Sequence, residues 1–115
     1  MNTISRHELK SKFDAGQQVK LVMMLSDCEY QARHIPGSLH FPPITLQMGL
    51  VTPDLATLHS SDEIVVYSAD ATCPAARLGY HLLKLNGYHK VRLYEGGMAD
   101  WEAAGYPLEG AQRTA

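Results

Sequence analysis

Cysteine is scarce in this chain: Cys28 and Cys73 are the only two among 115 residues. They form no C-x-x-C, and no ligand-spaced histidine sits beside either, which argues against a structural zinc site and a disulfide framework. Charge of one sign is scarce too. The formal balance is −2 with histidine neutral, so there is no electrostatic footprint for nucleic acid or for an anionic membrane. Long apolar runs are missing, and no segment approaches the roughly 20 residues that cross a bilayer. The opening MNTISRHELK has no apolar signal core, which gives the cytoplasm as the expected compartment. Internal repeats and low-complexity tracts are absent, and no metal or other cofactor is implied.

What is present is enough apolar material for one core. Hydrophobic residues make up 45% of the chain, and the length fits one domain, 1–115, with its core over about 4–109 and a frayed tail at 110–115. Ser5-x-x-Glu8 is a capping box that opens a helix over about Arg6–Ala15. Val19–Leu25 is apolar without alternation, as in a strand covered on both faces. Ser26-Asp27 caps a short turn that includes Tyr30. His34-Ile35-Pro36-Gly37 is a turn, Leu39–Phe41 a short strand, and Ile44–Met48 and Pro53–His59 short helical pieces. Glu63–Tyr67 (EIVVY) is the clearest buried strand. Pro74 opens a helix to about Asn86, with Leu78, Leu82 and Leu85 as its buried face and Gly87 as its end. Lys90–Tyr94 is the next strand, and Gly96-Gly97 turns into a helix over Met98–Ala104. Strands that alternate with helices give an α/β fold with a parallel sheet.

Chemistry in such sheets gathers outside the carboxyl ends of the strands. The loop Ser68-Ala69-Asp70-Ala71-Thr72-Cys73 (SADATC) lies there. Its residues are small or polar, so backbone N–H groups can converge on a bound group, and the following helix adds its positive end. That suits an anion: a thiolate, persulfide, sulfate, phosphate or arsenate. Cys73, at or beside the helix cap, is the loop's one thiol and is placed for activation by the helix field. The alternative is an ordinary strand-to-helix turn with Cys73 as a passive cap. Asp70 repels an incoming anion unless its carboxylate turns to solvent or accepts the loop's own amides, as Asp commonly does in turns.

Four stretches together resemble the rhodanese family. They are Glu29-Tyr30-x-x-x-His34-Ile35-Pro36-Gly37-Ser38; Ile64–Tyr67 leading into the loop; Leu85-Asn86-Gly87-Tyr88-x-x-Val91-x-x-Tyr94-x-Gly96-Gly97-x-x-x-Trp101; and Ala104-Gly105-Tyr106-Pro107. The resemblance covers about Ile4 to Glu109. It implies a single rhodanese-like domain, a five-stranded parallel sheet with helices on both faces. It also implies transfer of sulfane sulfur through a cysteine persulfide, from a small sulfur-containing anion or persulfide donor to a thiol acceptor. The nucleophile is normally the first loop residue. Some members read Y-C-x-x-x-x-C-P-A; here Tyr67-Ser68-Ala69-Asp70-Ala71-Thr72-Cys73-Pro74-Ala75 matches except that Ser68 stands at the nucleophile position.

A serine hydroxyl cannot hold a stable persulfide, and no histidine or carboxylate other than Asp70 is in view to activate it as a hydrolase nucleophile. The family's D-x-R before E-Y is Met23 and Leu25 here, and Arg33 replaces the glycine of G-H-I-P-G. The chain therefore reads as a sulfurtransferase-type domain acting on sulfane sulfur or thiols at loop 68–73, weak in thiosulfate:cyanide transfer, with Cys73 as the loop residue able to carry sulfur. The alternative is a catalytically inactive rhodanese module that binds a protein partner or an anion. A phosphatase-like or arsenate-reductase-like use of the loop is less well matched, because the first cysteine is missing there too. Cys28, just past the Val19–Leu25 strand, could resolve an oxidised Cys73 or simply pack on its short helix. Arg77 could assist anion binding or stay solvated; Arg33 is expected at the surface, and His34, Tyr88 and Trp101 in structural roles.

Overall fold

A computed structural model describes residues 1–25, 27–50 and 52–110, and only the backbone of residues 27 and 28. In chain order the elements are α1 (Arg6–Asp14), β1 (Val19–Met23), α2 (Asp27–Ala32), β2 (Leu39–His40), α3 (Pro43–Gln47), α4 (Pro53–Ala56), β3 (Glu63–Tyr67), α5 (Ala75–Leu85), β4 (Lys90–Leu93) and α6 (Gly97–Ala103). The strands are all parallel, in the order β2-β1-β3-β4. Ser5 caps α1 through its hydroxyl, which accepts the Glu8 N–H at 3.1 Å. β1 ends at Met23, inside the predicted Val19–Leu25; Ser26, of the predicted Ser26-Asp27 cap to the short turn with Tyr30, lies outside the described residues, as does the tail beyond Gly110.

The strands lack alternation because both faces are covered. Val22, Ile64, Val66, Val91 and Leu93 join a core with Leu46 of α3 and Ala76, Tyr80 and Leu83 of α5. Leu21, Met23, Val65 and Tyr67 join a second core with Leu9 of α1 and Met98 and Trp101 of α6. Trp101 is fully buried, and its indole N–H donates to the Pro107 carbonyl at 2.8 Å.

Two expectations are corrected. Among the described residues the sheet has four strands, not five. The place of a fifth is taken by an isolated parallel bridge between Thr3 and Leu93, held by Ile4 N–H to Leu93 O at 3.0 Å and Leu93 N–H to Asn2 O at 2.8 Å. Pairing stops after that one residue pair because Ser5 caps α1 and turns the chain off the edge. The second correction is the inward face of α5. Leu85 is 82% exposed and Leu78 41%, whereas Ala76, Gly79, Tyr80 and Leu83 are buried. The buried stripe keeps the i, i+3, i+4, i+7 spacing but runs through Ala76 and Gly79 together with Tyr80 and Leu83. A Cβ at Gly79 would stand 2.7 Å from the Met24 methyl, so the missing side chain is what lets α5 pass close over Met24, just beyond the end of β1.

The strand order also locates a crevice. β1 crosses over to β2 through α2, while β3 crosses over to β4 through α5 on the other side, so the order reverses between β1 and β3. In open parallel sheets that switch point is where ligands sit.

Candidate functional site

Tyr67 ends β3 and anchors the base of the loop. It is fully buried, and its hydroxyl accepts the Ile35 N–H at 3.1 Å and bonds the Ser38 hydroxyl at 2.6 Å. Burial pushes the phenol well above its ordinary value, so it stays neutral. The turn His34–Gly37 and the loop are thereby tied to one point.

Beyond Tyr67 the loop is clamped from the side by α6. The Met98 N–H donates to the Ser68 carbonyl and the Ala99 N–H to the Ala69 carbonyl, both at 2.9 Å. Gly97, with φ +62°, makes the approach possible: a Cβ there would lie 2.4 Å from the Ser68 oxygen. Ser68 itself is 2% exposed.

Asp70 folds back on the loop. Its Oδ1 accepts the Thr72 N–H at 3.0 Å, the Thr72 hydroxyl at 2.7 Å and the Cys73 N–H at 3.1 Å. These bonds, the Thr72 hydroxyl first, hold the Asp70 carboxyl below its ordinary value. Of the two possibilities open for Asp70 in the sequence, the structure shows the one in which the carboxylate accepts loop amides. α5 then begins after Pro74, whose own backbone is helical at φ −78° and which offers no side-chain cap.

Two cavities flank the loop. The first, about 660 Å³, opens at the switch point. Met23 and Leu25 from the end of β1, Ala69 and Asp70 from the loop, and Met98 and Glu102 from α6 are among its walls. The second, about 380 Å³, is bordered by Pro42, Pro43, Ile44, Cys73, Ala75 and Leu78. The six loop residues are therefore not brought to one place. Ala69 and Asp70 border the first cavity, the half-buried Cys73 borders the second, and Ser68, Ala71 and Thr72 line neither. The pairing of Cys28 with Cys73 concerns a side chain outside the described residues.

Arg33, expected simply at the surface, reaches across the first cavity's rim to Glu102 at 2.8 Å. Glu102 was not singled out by sequence reasoning. Its signal is helical phase: with Met98 and Trp101 turned to the core, Ala99, Glu102 and Ala103 fall on the neighbouring face and line the cavity. Arg77 pairs with Glu95 at 3.5 Å and borders neither cavity. His34 is structural: Nδ1 meets the Tyr30 carbonyl at 2.8 Å, and the ring stacks on Tyr30.

A family model described as the rhodanese-like domain matches residues 5–104. The chain belongs to the rhodanese-like domain family. It is 35% identical over 108 residues, 94% of its length, to an HTH-type transcriptional regulator of Mycobacterium tuberculosis, of which it covers 45%. It is 30% identical over 95 residues, 70% of its length, to the mitochondrial thiosulfate/3-mercaptopyruvate sulfurtransferase 1 of Arabidopsis thaliana, of which it covers 25%. The chain thus spans less than half the length of these curated relatives. Among solved structures, the rhodanese-like domain of an Anabaena protein, determined by solution NMR, superposes with a TM-score of 0.79 at 26% identity, covering 97% of this chain and 81% of that one. Within the rhodanese-like fold the first cavity borders Ala69 and Asp70, the residues that follow Ser68. No helix among the described residues is long and apolar enough to cross a membrane.

Proposed function

We propose that this rhodanese-like domain handles sulfane sulfur or thiols at the loop 68–73, with Cys73 as the residue that carries sulfur and with weak thiosulfate:cyanide transfer. The observation that carries the reading is the loop itself. It keeps the family's Tyr67 anchor, its length and its Cys73-Pro74-Ala75 exit, with a half-buried thiol at the helix mouth. The sulfurtransferase relative supports the same chemistry. In the step proposed, the Cys73 thiolate attacks the outer sulfur of a persulfide R–S–SH. A sulfur–sulfur bond forms at Cys73, the donor's sulfur–sulfur bond breaks, and R–S⁻ leaves with that bond's electron pair. No external oxidant is needed. The thiol acceptor reverses the exchange.

Weak transfer from thiosulfate follows from two features. Ser68 has no sulfur to form the family's intermediate, and Asp70 already occupies the Thr72 and Cys73 amides that an anion would take. Treatment with inorganic polysulfide, followed by peptide mass mapping, is the test. One added sulfur on the Cys73 peptide, lost in Cys73→Ser, is expected. No adduct at Cys73 refutes the reading. Ser68→Cys, a near-isosteric change, is expected to raise thiosulfate:cyanide turnover above the parent.

A second reading is favoured by the separation of Cys73 from the first cavity. On that reading the chain is a catalytically inactive module that binds its ligand or partner at the switch point. The regulator relative, of which this chain covers less than half, is consistent with a binding module joined to other domains.

A further inference from the structure

The thiol that carries sulfur does not open on the switch-point cavity. Cys73 stands in the wall of the second one, about 380 Å³, between α3 and α5. One side is a face of α3, with Pro43, Ile44 and Gln47. The other is the first turn of α5, with Ala75 and Leu78. Among the described residues of this lining, Gln47 is the one polar side chain besides the thiol, and none is charged. Ile44 is 53% exposed and Leu78 41%, so two large apolar side chains stand open to water beside the thiol. The volume lies near the lower end of the range for small-molecule sites, roughly 300–1,000 Å³.

A second observation concerns charge. The Asp70 carboxylate is fixed on the thiol's own residue, its Oδ1 accepting the Cys73 N–H at 3.1 Å. The described lining holds no basic side chain to offset it, and Arg77 is paired with Glu95 outside the cavity. Every acceptor brings the charge of its reacting sulfur. Any further negative charge meets Asp70 without a counter-charge, whereas an apolar body covers Ile44 and Leu78.

We propose that Cys73 exchanges sulfur with small apolar thiols that carry no charge besides the reacting sulfur, their organic body lying in the second cavity against Ile44, Ala75 and Leu78. The inference rests on the reading of Cys73 as the sulfur carrier and names the substrate class of that site. In transfer to the acceptor, R–S⁻ attacks the outer sulfur of the Cys73 persulfide. The R–S–SH bond forms, the sulfur–sulfur bond at Cys73 breaks, and the Cys73 thiolate leaves with that bond's electron pair. The acceptor's thiol proton has gone to solvent, and the proton on the outer sulfur stays there.

The test loads the chain with inorganic polysulfide, confirms the added sulfur on the Cys73 peptide by mass, and follows its loss to four thiols. These are benzyl mercaptan, 2-mercaptoethanol, 3-mercaptopropionate and glutathione. Each rate is divided by that thiol's rate with inorganic polysulfide in free solution, which removes intrinsic nucleophilicity. Benzyl mercaptan is expected to saturate and to exceed the other three by about tenfold or more, the scale of burying one apolar ring face. Ile44→Asp should narrow its lead over 2-mercaptoethanol and slow 3-mercaptopropionate. Ile44→Lys should narrow the same lead and speed 3-mercaptopropionate. Both changes fall at an exposed position, where substitution spares the fold. Benzyl alcohol, which cannot react, should shift the amides of Ile44, Gln47, Ala75 and Leu78 in the ¹⁵N-labelled chain.

Equal normalised rates, or faster discharge to glutathione or 3-mercaptopropionate, overturn the proposal and leave Cys73 as a sulfur carrier. So does a lead for benzyl mercaptan that neither variant narrows. Failure of polysulfide to load Cys73 overturns the proposal together with the reading on which it rests.

Discussion

Gly97 and Asp70 show how single residues hold the loop. Gly97 sits in the left-handed region and within contact of the Ser68 carbonyl, so any side chain there meets both a backbone penalty and a main-chain oxygen. Gly97→Ala is expected to destabilise the fold by about 2 kcal/mol or more, measured by urea unfolding. Asp70 makes a different prediction. Its carboxyl has a lower pKa in the folded loop than its ordinary 3.8, so the stabilisation it confers is complete above that value and is lost as pH falls through the lowered one. The amide shifts of Thr72 and Cys73 should therefore titrate in the acid range below the ordinary aspartate value. In Asp70→Asn, which keeps an acceptor oxygen but no charge, that titration should vanish. Persistence of the same titration in Asp70→Asn would assign it to another group.

At the scale of elements, α5 separates what is legible in a sequence from what is not. Its existence and limits follow from Pro74 and Gly87, and the observed helix is Ala75–Leu85. Its buried face does not, because leucine is a poor guide where close approach matters. Leu78 and Leu85 point outward while Ala76 and Gly79 make the contact with the sheet. Leu83→Ala should cost about 2–5 kcal/mol, as a fully buried leucine does. Leu85→Ala should stay within about 0.5 kcal/mol, as an exposed substitution does. Thermal or urea denaturation of the pair discriminates the faces directly, and a reversed order would restore the leucine stripe. The strands were more legible. EIVVY is β3 over Glu63–Tyr67 without adjustment, since β-branched runs between polar turns have few other outcomes.

For the whole molecule, the sheet order decides both stability and site. β1 and β3 each have a partner on both sides and a core on both faces. Amides of Val65 and Val66 should accordingly be among the slowest to exchange with deuterium, slower than those of β2, which pairs with β1 over only two residues. Faster exchange in β3 than in β2 would contradict this arrangement. The loop's position was legible, because a strand end before a proline-led helix is recognisable in one dimension. The cavity was not. Arg33 and Glu102 stand 69 residues apart and meet only because α2 and α6 close over the same strand ends. The division of the loop between two cavities was hidden for the same reason. The walls come from α3 and α5 on one side and α2 and α6 on the other.

The clamp of α6 on the loop is built from main-chain atoms: two N–H groups and two carbonyls, with a glycine to let them meet. Side chains at positions 68 and 69 take no part in it. The loop is thus shaped by its address in the fold rather than by its spelling, and those letters are free to drift. A cysteine exchanged for a serine leaves the same curve of backbone in the same place. Descendants of such a sequence can therefore change the side chains at these positions while inheriting the same scaffold.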